Sequence, residues 1–100
     1  MEEQDRVAAF VATHDLACPP AYRLLDLAAE VGELAADANE ETAYGASPES
    51  FDVETDELGD ALFALLALAE AVDVDASAAL DRSLEKYARR LEEDGSAGSS

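Results

Sequence analysis

The sequence predicts an all-α fold, a small domain of four helices completed by oligomerisation. Three observations predict it. Of its 49 apolar residues 22 are alanine, with no isoleucine or tryptophan, and alanine favours helix more than any other residue. Apolar positions recur at three- and four-residue spacing along most of the chain. Helix breakers fall between those segments and seldom inside them. At 100 residues a second independent core would leave each half too small to be stable, so residues 1–93 read as one domain. Alanine buries little area, which makes a thin core. A thin core in a helical protein of this size predicts neighbouring subunits, a dimer or a tetramer.

The first helix is expected over Glu3 to His14, with Val7, Phe10 and Val11 on one face and His14 ending it favourably. Cys18-Pro19-Pro20 breaks it, because proline suits a first turn and not a helix interior. A second helix follows from Pro20 to Glu41, carrying Leu24, Leu27, Ala28, Val31, Leu34, Ala35 and Ala38 in amphipathic register. Tyr44-Gly45-Ala46-Ser47-Pro48 is a loop, and helix resumes somewhere between Pro48 and Thr55. From Asp56 to Val72 the helix is apolar on every side, since Phe63, Ala64, Leu66 and Ala67 fill the faces that Leu58, Leu62 and Leu65 leave. Such a helix is expected to be buried all round, which again asks for a partner. Asp75 is placed to cap a fourth helix running to Glu93, and residues 94–100 are expected to form a disordered tail.

Charge excludes several classes of function. The chain has 24 acidic and 6 basic residues, a net charge of −18, and that field repels the phosphates of nucleic acid. Abundant acid, one lysine and much alanine resemble the composition of halophilic archaeal proteins, where salt screens self-repulsion. Cys18 is the sole cysteine, so no intrachain disulfide forms, and nothing adjacent would activate it. The acidic amino terminus lacks the basic region of a signal peptide, and the apolar run Ala61–Ala69 is half a membrane span. A cytoplasmic protein without membrane or nucleic acid partners is expected.

The chemistry is concentrated in two tetrapeptides, Glu30-Val31-Gly32-Glu33 and Glu57-Leu58-Gly59-Asp60. Each sets two carboxylates at i and i+3, neighbours on one helix face. Each also places a glycine inside a helix, at a cost of about 1 kcal/mol relative to alanine. Like charges side by side add a few tenths of a kcal/mol of repulsion. A divalent ion gathered by carboxylates from facing helices would offset both, and an all-oxygen set favours Mg²⁺, with Mn²⁺ as a substitute. Asp26 and Asp37 extend the stripe on the second helix, where they could act behind the ligands. The bland alternative is that so acidic a chain produces such pairs by chance on a solvated face.

Leu27-Ala28-Ala29-Glu30-Val31-Gly32-Glu33-Leu34 and Asp56-Glu57-Leu58-Gly59-Asp60-Ala61-Leu62-Phe63 resemble the MazG family of nucleoside triphosphate pyrophosphohydrolases. That family's pattern is Glu-Glu-x-x-Glu followed by Glu-x-x-Asp. Lys86-Tyr87-Ala88-Arg89-Arg90 is similar to its Lys-Phe-x-x-Arg element. Ala29 stands where the family has its first glutamate and Ser83 where asparagine is common. The resemblance implies the all-α NTP pyrophosphatase fold and hydrolysis of (d)NTP to (d)NMP and pyrophosphate. It also implies Glu30, Glu33, Glu57 and Asp60 as catalytic metal ligands and Lys86 and Arg90 as phosphate contacts. Arg23 could touch phosphate, although pairing with Asp26 is the simpler role. Phe10, Tyr22, Tyr44 and Phe51 are candidates to stack on a base, or else plain core.

Two rivals remain. A di-iron carboxylate bundle needs Glu-x-x-His motifs, which this chain, with one histidine, does not contain. A non-enzymatic acidic helical protein that binds a basic groove would account for the charge, but not for two glycine-containing acidic pairs against apolar stripes. Melting with and without MgCl₂ at fixed KCl separates them, since only a real site gains stability by mass action.

Overall fold

The computed structural model describes residues 1–94; of the tail expected at 94–100, Asp94 closes the last helix and residues 95–100 lie outside the described residues. It contains helices α1 (Glu2–Thr13), α2 (Pro20–Glu41), α3 (Thr55–Ala71) and α4 (Ala76–Asp94), with one 3-10 turn at Pro48–Ser50. No strand occurs among the described residues. The second helix has its expected bounds. The first and third start and stop one residue earlier than periodicity indicates, and the fourth runs one residue further, to Asp94.

The helix ends have a common cause. After α1, Leu16 N–H donates to Val11 O at 2.9 Å and Asp15 N–H to Ala12 O at 3.3 Å. After α2, Tyr44 donates to Asn39 O and Ala43 to Glu40 O; after α3, Val74 donates to Ala69 O and Asp73 to Glu70 O. All three are Schellman closures, which satisfy the last carbonyls through one left-handed residue. That residue is usually glycine; here it is Asp15 (φ 53°), Ala43 (φ 51°) and Asp73 (φ 56°). Aspartate tolerates the conformation, but an alanine there costs about 1–2 kcal/mol. Thr42 supports the turn, its hydroxyl donating to Ala38 O and accepting from Gly45 N–H. At the other end of the chain, Asp75 caps α4 through Ser77 N–H at 2.9 Å and Ala78 N–H at 3.4 Å.

Packing centres on α3, with α2 on one side and α1 on another. The buried apolar residues are Ala61, Ala64, Leu66 and Ala67, all on α3, so the core is as thin as the composition implies. The expectation that α3 is buried on every side is not met within one chain. Leu58, Leu62 and Leu65 are each about half exposed, because α2 and α1 cover two sides of α3 and leave the side that carries these leucines open. The stripe on α2 is likewise only partly covered, with Leu24 and Val31 half exposed.

Helix α4 packs closely on none of the others. Its launch is set from a distance: Gln4, buried at the start of α1, donates to Val74 O and accepts from Ala76 N–H, both at 2.7 Å. One amide thus satisfies a turn carbonyl and an orphan N–H of the first α4 turn. Beyond that clasp α4 diverges from α3, leaving an apolar cleft of about 460 Å³ that includes Leu62, Leu65, Val72, Ala79 and Leu80. The radius of gyration is 16.4 Å, against about 13 Å for a compact domain of this length. No helix is long and apolar enough to cross a membrane among the described residues.

Candidate functional site

On α2 the residues withdrawn from solvent are Arg23, Leu27, Glu30, Leu34 and the adjacent Asp37 and Ala38. Their four-three alternation is that of a helix seam. On α3 the matching row is Glu57, Ala61, Ala64 and Leu68. Carboxylates are therefore built into the α2–α3 seam itself, where leucine or alanine would pack without penalty. Glu30 interacts with Asp60, and Asp37 with Glu57. The order rises along α2 and falls along α3, as antiparallel helices require. Glu33 and Asp60 lie on the exposed flank.

The electrostatics follow from this crowding. Partial burial, aided by the charges of Glu33 and Asp60, raises the Glu30 carboxyl above the ordinary carboxylate range. Glu57 is pushed up to about 7, first by a hydrogen bond shared with Asp37, then by desolvation and the charges of Asp37, Asp56 and Glu54. Two carboxylates can share a hydrogen bond only when one holds a proton. With both ionised, Glu57 Oε2 is cut off from solvent and has no donor. A buried acceptor in that position needs a proton or a cation.

The donor chemistry fits a hard cation: only oxygens, doubly acidic, one of them orphaned. Among the described residues, however, no three or more His, Cys, Asp or Glu side chains already stand as a metal-holding group. The acids form a row along the seam, with Glu30, Glu33 and Asp60 toward one end and Asp37 with Glu57 toward the other. Both glycines in the motifs face open space: a Cβ at Gly32 or Gly59 would meet nothing within 4 Å. No neighbour in the chain requires them, so their faces are free for a group from outside it.

The other sequence candidates divide. Arg23 is buried; it donates to Leu16 O at 2.5 Å and stands 3.9 Å from Asp26, so it ties the α1–α2 connection to α2. His14 caps α1, with its ring 4.4 Å from that of Phe10. Cys18 is a free, half-buried thiol. Lys86 and Arg90 lie over the Tyr87 ring, at 4.9 and 5.8 Å from its centroid. They belong to α4, which stands off the α2–α3 pair, so one chain does not pack them against the acidic row. Sequence reading left Asp37 in a supporting place, although its position one heptad beyond Glu30 signals the seam. It passed over Gln4, whose partners are more than 70 residues away by chain for Ala76 and carry no local signal.

A helical hairpin with carboxylates set into its seam defines a class of acidic-site α-helical proteins. The model of the MazG nucleotide pyrophosphohydrolase domain matches residues 20–93, about three quarters of the chain, and the chain belongs to that family. Helix α1 lies outside the matched span. Comparisons with curated proteins and with solved structures find no match.

Proposed function

We propose that this chain is an Mg²⁺-dependent nucleotide pyrophosphohydrolase that converts (d)NTP to (d)NMP and pyrophosphate, in a nucleotide-pool housecleaning role. The observation that supports it most is the seam of Glu30, Asp37 and Glu57, flanked by Glu33 and Asp60, with Glu57 Oε2 orphaned. Glu30, Glu33, Glu57 and Asp60 would hold the ion, and Asp37 would orient Glu57 beside it. When bound, Mg²⁺ (or Mn²⁺) supplies charge neutralisation to the polyphosphate and Lewis acidity at the reacting phosphorus.

The chain's own groups then have separable tasks. The acidic row repels a triphosphate unless positive charge intervenes, which makes productive binding conditional on the ion. Glu57, pushed up to about 7 by Asp37 and by burial, is partly protonated near neutrality and can release that proton where a cation takes its place. Lys86 and Arg90 supply positive charge for the phosphates. Four of the six basic residues, Arg82, Lys86, Arg89 and Arg90, lie on α4.

The working form is a homo-oligomer. The cleft between α3 and α4 fits a second copy, because half-exposed Leu62, Leu65 and Leu80 face space that no element of the same chain fills. Association there would also hold α4 and its cations in a defined place.

The test is a panel of nucleoside triphosphates incubated with Mg²⁺ in molar KCl and assayed for monophosphate and pyrophosphate. Stoichiometric release of those two products is the expected result. Orthophosphate as the product, or turnover that survives EDTA, would defeat the proposal.

A further inference from the structure

A second cavity adjoins the acidic row on the opposite side of α3 from the α2 seam. It has a volume of about 520 Å³ and lies between α1 and α3, bounded by Glu3, Arg6, Phe10, Gly59, Asp60 and Phe63, among others. That volume is within the range of small-ligand sites. We propose that this cavity is the nucleobase subsite, with Phe10 as its stacking surface and Arg6 and Glu3 as its polar edge. The inference rests on the nucleotide reading above and adds to it a location and a set of specificity residues.

Four features converge on a base. The cavity shares Asp60 with the acidic row and passes over Gly59, where a Cβ would meet nothing within 4 Å; a phosphate chain beside the acids and a base in the cavity can belong to one molecule. Phe10 is held edge-to-face against Phe63, with ring centroids 6.0 Å apart, and against the tilted His14 ring at 4.4 Å. Yet it is 49% exposed and lines the cavity, so a ring fixed by its neighbours still offers open aromatic surface to a ligand there, as a stacking platform requires. Of the aromatic candidates in the sequence, Tyr22, Tyr44 and Phe51 do not line this cavity.

The polar edge is equally selective. Arg6 offers only donors and Glu3 only acceptors, one helical turn apart on α1. A base presents mixed donors and acceptors on a neutral edge, which such a pair reads well. A second phosphate would meet Glu3 and Asp60, and an aliphatic side chain would leave Arg6 and Glu3 unanswered. Because α1 lies outside the family match, this wall is a feature of the chain beyond the matched span.

The test uses uncharged nucleosides, whose binding depends neither on the ion nor on hydrolysis. Adenosine, guanosine, cytidine and uridine are titrated onto the full chain in EDTA and molar KCl, followed by saturation-transfer NMR. Saturation should reach the base protons first. Phe10→Ala, and Phe10→Leu as the variant that keeps volume without a π-face, should weaken binding about tenfold or more. Arg6→Ala should reorder the preference among bases, while Tyr44→Ala should change nothing. Wild-type affinity in a Phe10 variant with native helix content overturns the subsite, as does the absence of nucleoside binding to the wild-type chain. If nucleosides bind through Phe10 while no triphosphate is cleaved, the hydrolase reading falls and the subsite stands. If cleavage occurs and Phe10→Ala keeps the wild-type ranking of bases, the subsite alone is lost.

Discussion

Helices α2 and α4 are similar in length, 22 and 19 residues, and both are amphipathic, but they meet the rest of the chain in opposite ways. Helix α2 lies along α3 and places carboxylates in the contact, where a purely structural seam would have leucine. Helix α4 carries most of the positive charge and a row of half-exposed leucines, Leu80, Leu84 and Leu91, yet packs closely on nothing. Helix α2 holds acids in its contact with α3 where apolar side chains would pack without penalty; α4 is ready to be packed and has no close partner in its own chain. The acids are thus gathered in a formed seam while most of the cations lie on an open helix, and in the proposed function these are the two parts that a phosphate chain would bridge.

The formed part should be the easier to break. Replacing Asp60 or Glu33 with alanine is expected to lower turnover at least a hundredfold while circular dichroism stays native, since both side chains are exposed and removing one ion-holding carboxylate removes transition-state stabilisation. Asp37→Asn should cost about 10–100-fold in metal affinity, measured by Mg²⁺ titration, because it acts through Glu57. An unchanged Mg²⁺ affinity would mean that Asp37 only fills the seam.

On α4, Leu80→Asp is expected to weaken self-association about thirtyfold or more by sedimentation equilibrium, with no loss of helix content. A chain that is monomeric before the substitution would overturn the proposal that a second copy covers this face of α4.

The pH response isolates the seam. Glu57 has a folded-state value of about 7, raised from 4.5, so between those values the folded chain binds a proton that the unfolded chain has lost. Stability without metal should therefore fall as pH rises from about 4.5 to 7. The partly buried Glu30, also raised, acts in the same direction. Melting curves across this window should show the fall, Glu57→Gln should flatten it, and Mg²⁺ at pH 8 should restore part of the loss.

The smallest effect concerns neither helix face. Ala43→Gly relieves a left-handed alanine and should stabilise by about 1 kcal/mol, a rise of roughly 4–8 °C in Tm. No change would indicate that the Thr42–Gly45 turn relaxes without glycine.

Most of the helices could be read from the chain because their signals are local. Pro20 opens α2 at the expected residue, and Asp75 caps α4 through its own side chain. The helix ends near Asp15, Ala43 and Asp73 were harder, since the Schellman turns use aspartate or alanine where glycine is the visible cue. The motif pairs Glu30/Glu33 and Glu57/Asp60 were legible as i, i+3 repeats. Their division into seam residues and flank residues was not, because it depends on the rotation of α2 against α3.

Periodicity, capping residues and the two acidic tetrapeptides by themselves determined the helical class, the order of the elements and the residues that bear charge. Those features depend on neighbours within one or two helical turns, which the chain specifies directly. Only the tertiary structure decided that Asp37 stands against Glu57 across the seam, that Gln4 sets the start of α4, and that Phe10 and Asp60 border one cavity. Each of these joins residues far apart in sequence, and their meeting is settled by how the helices pack, not by any local preference.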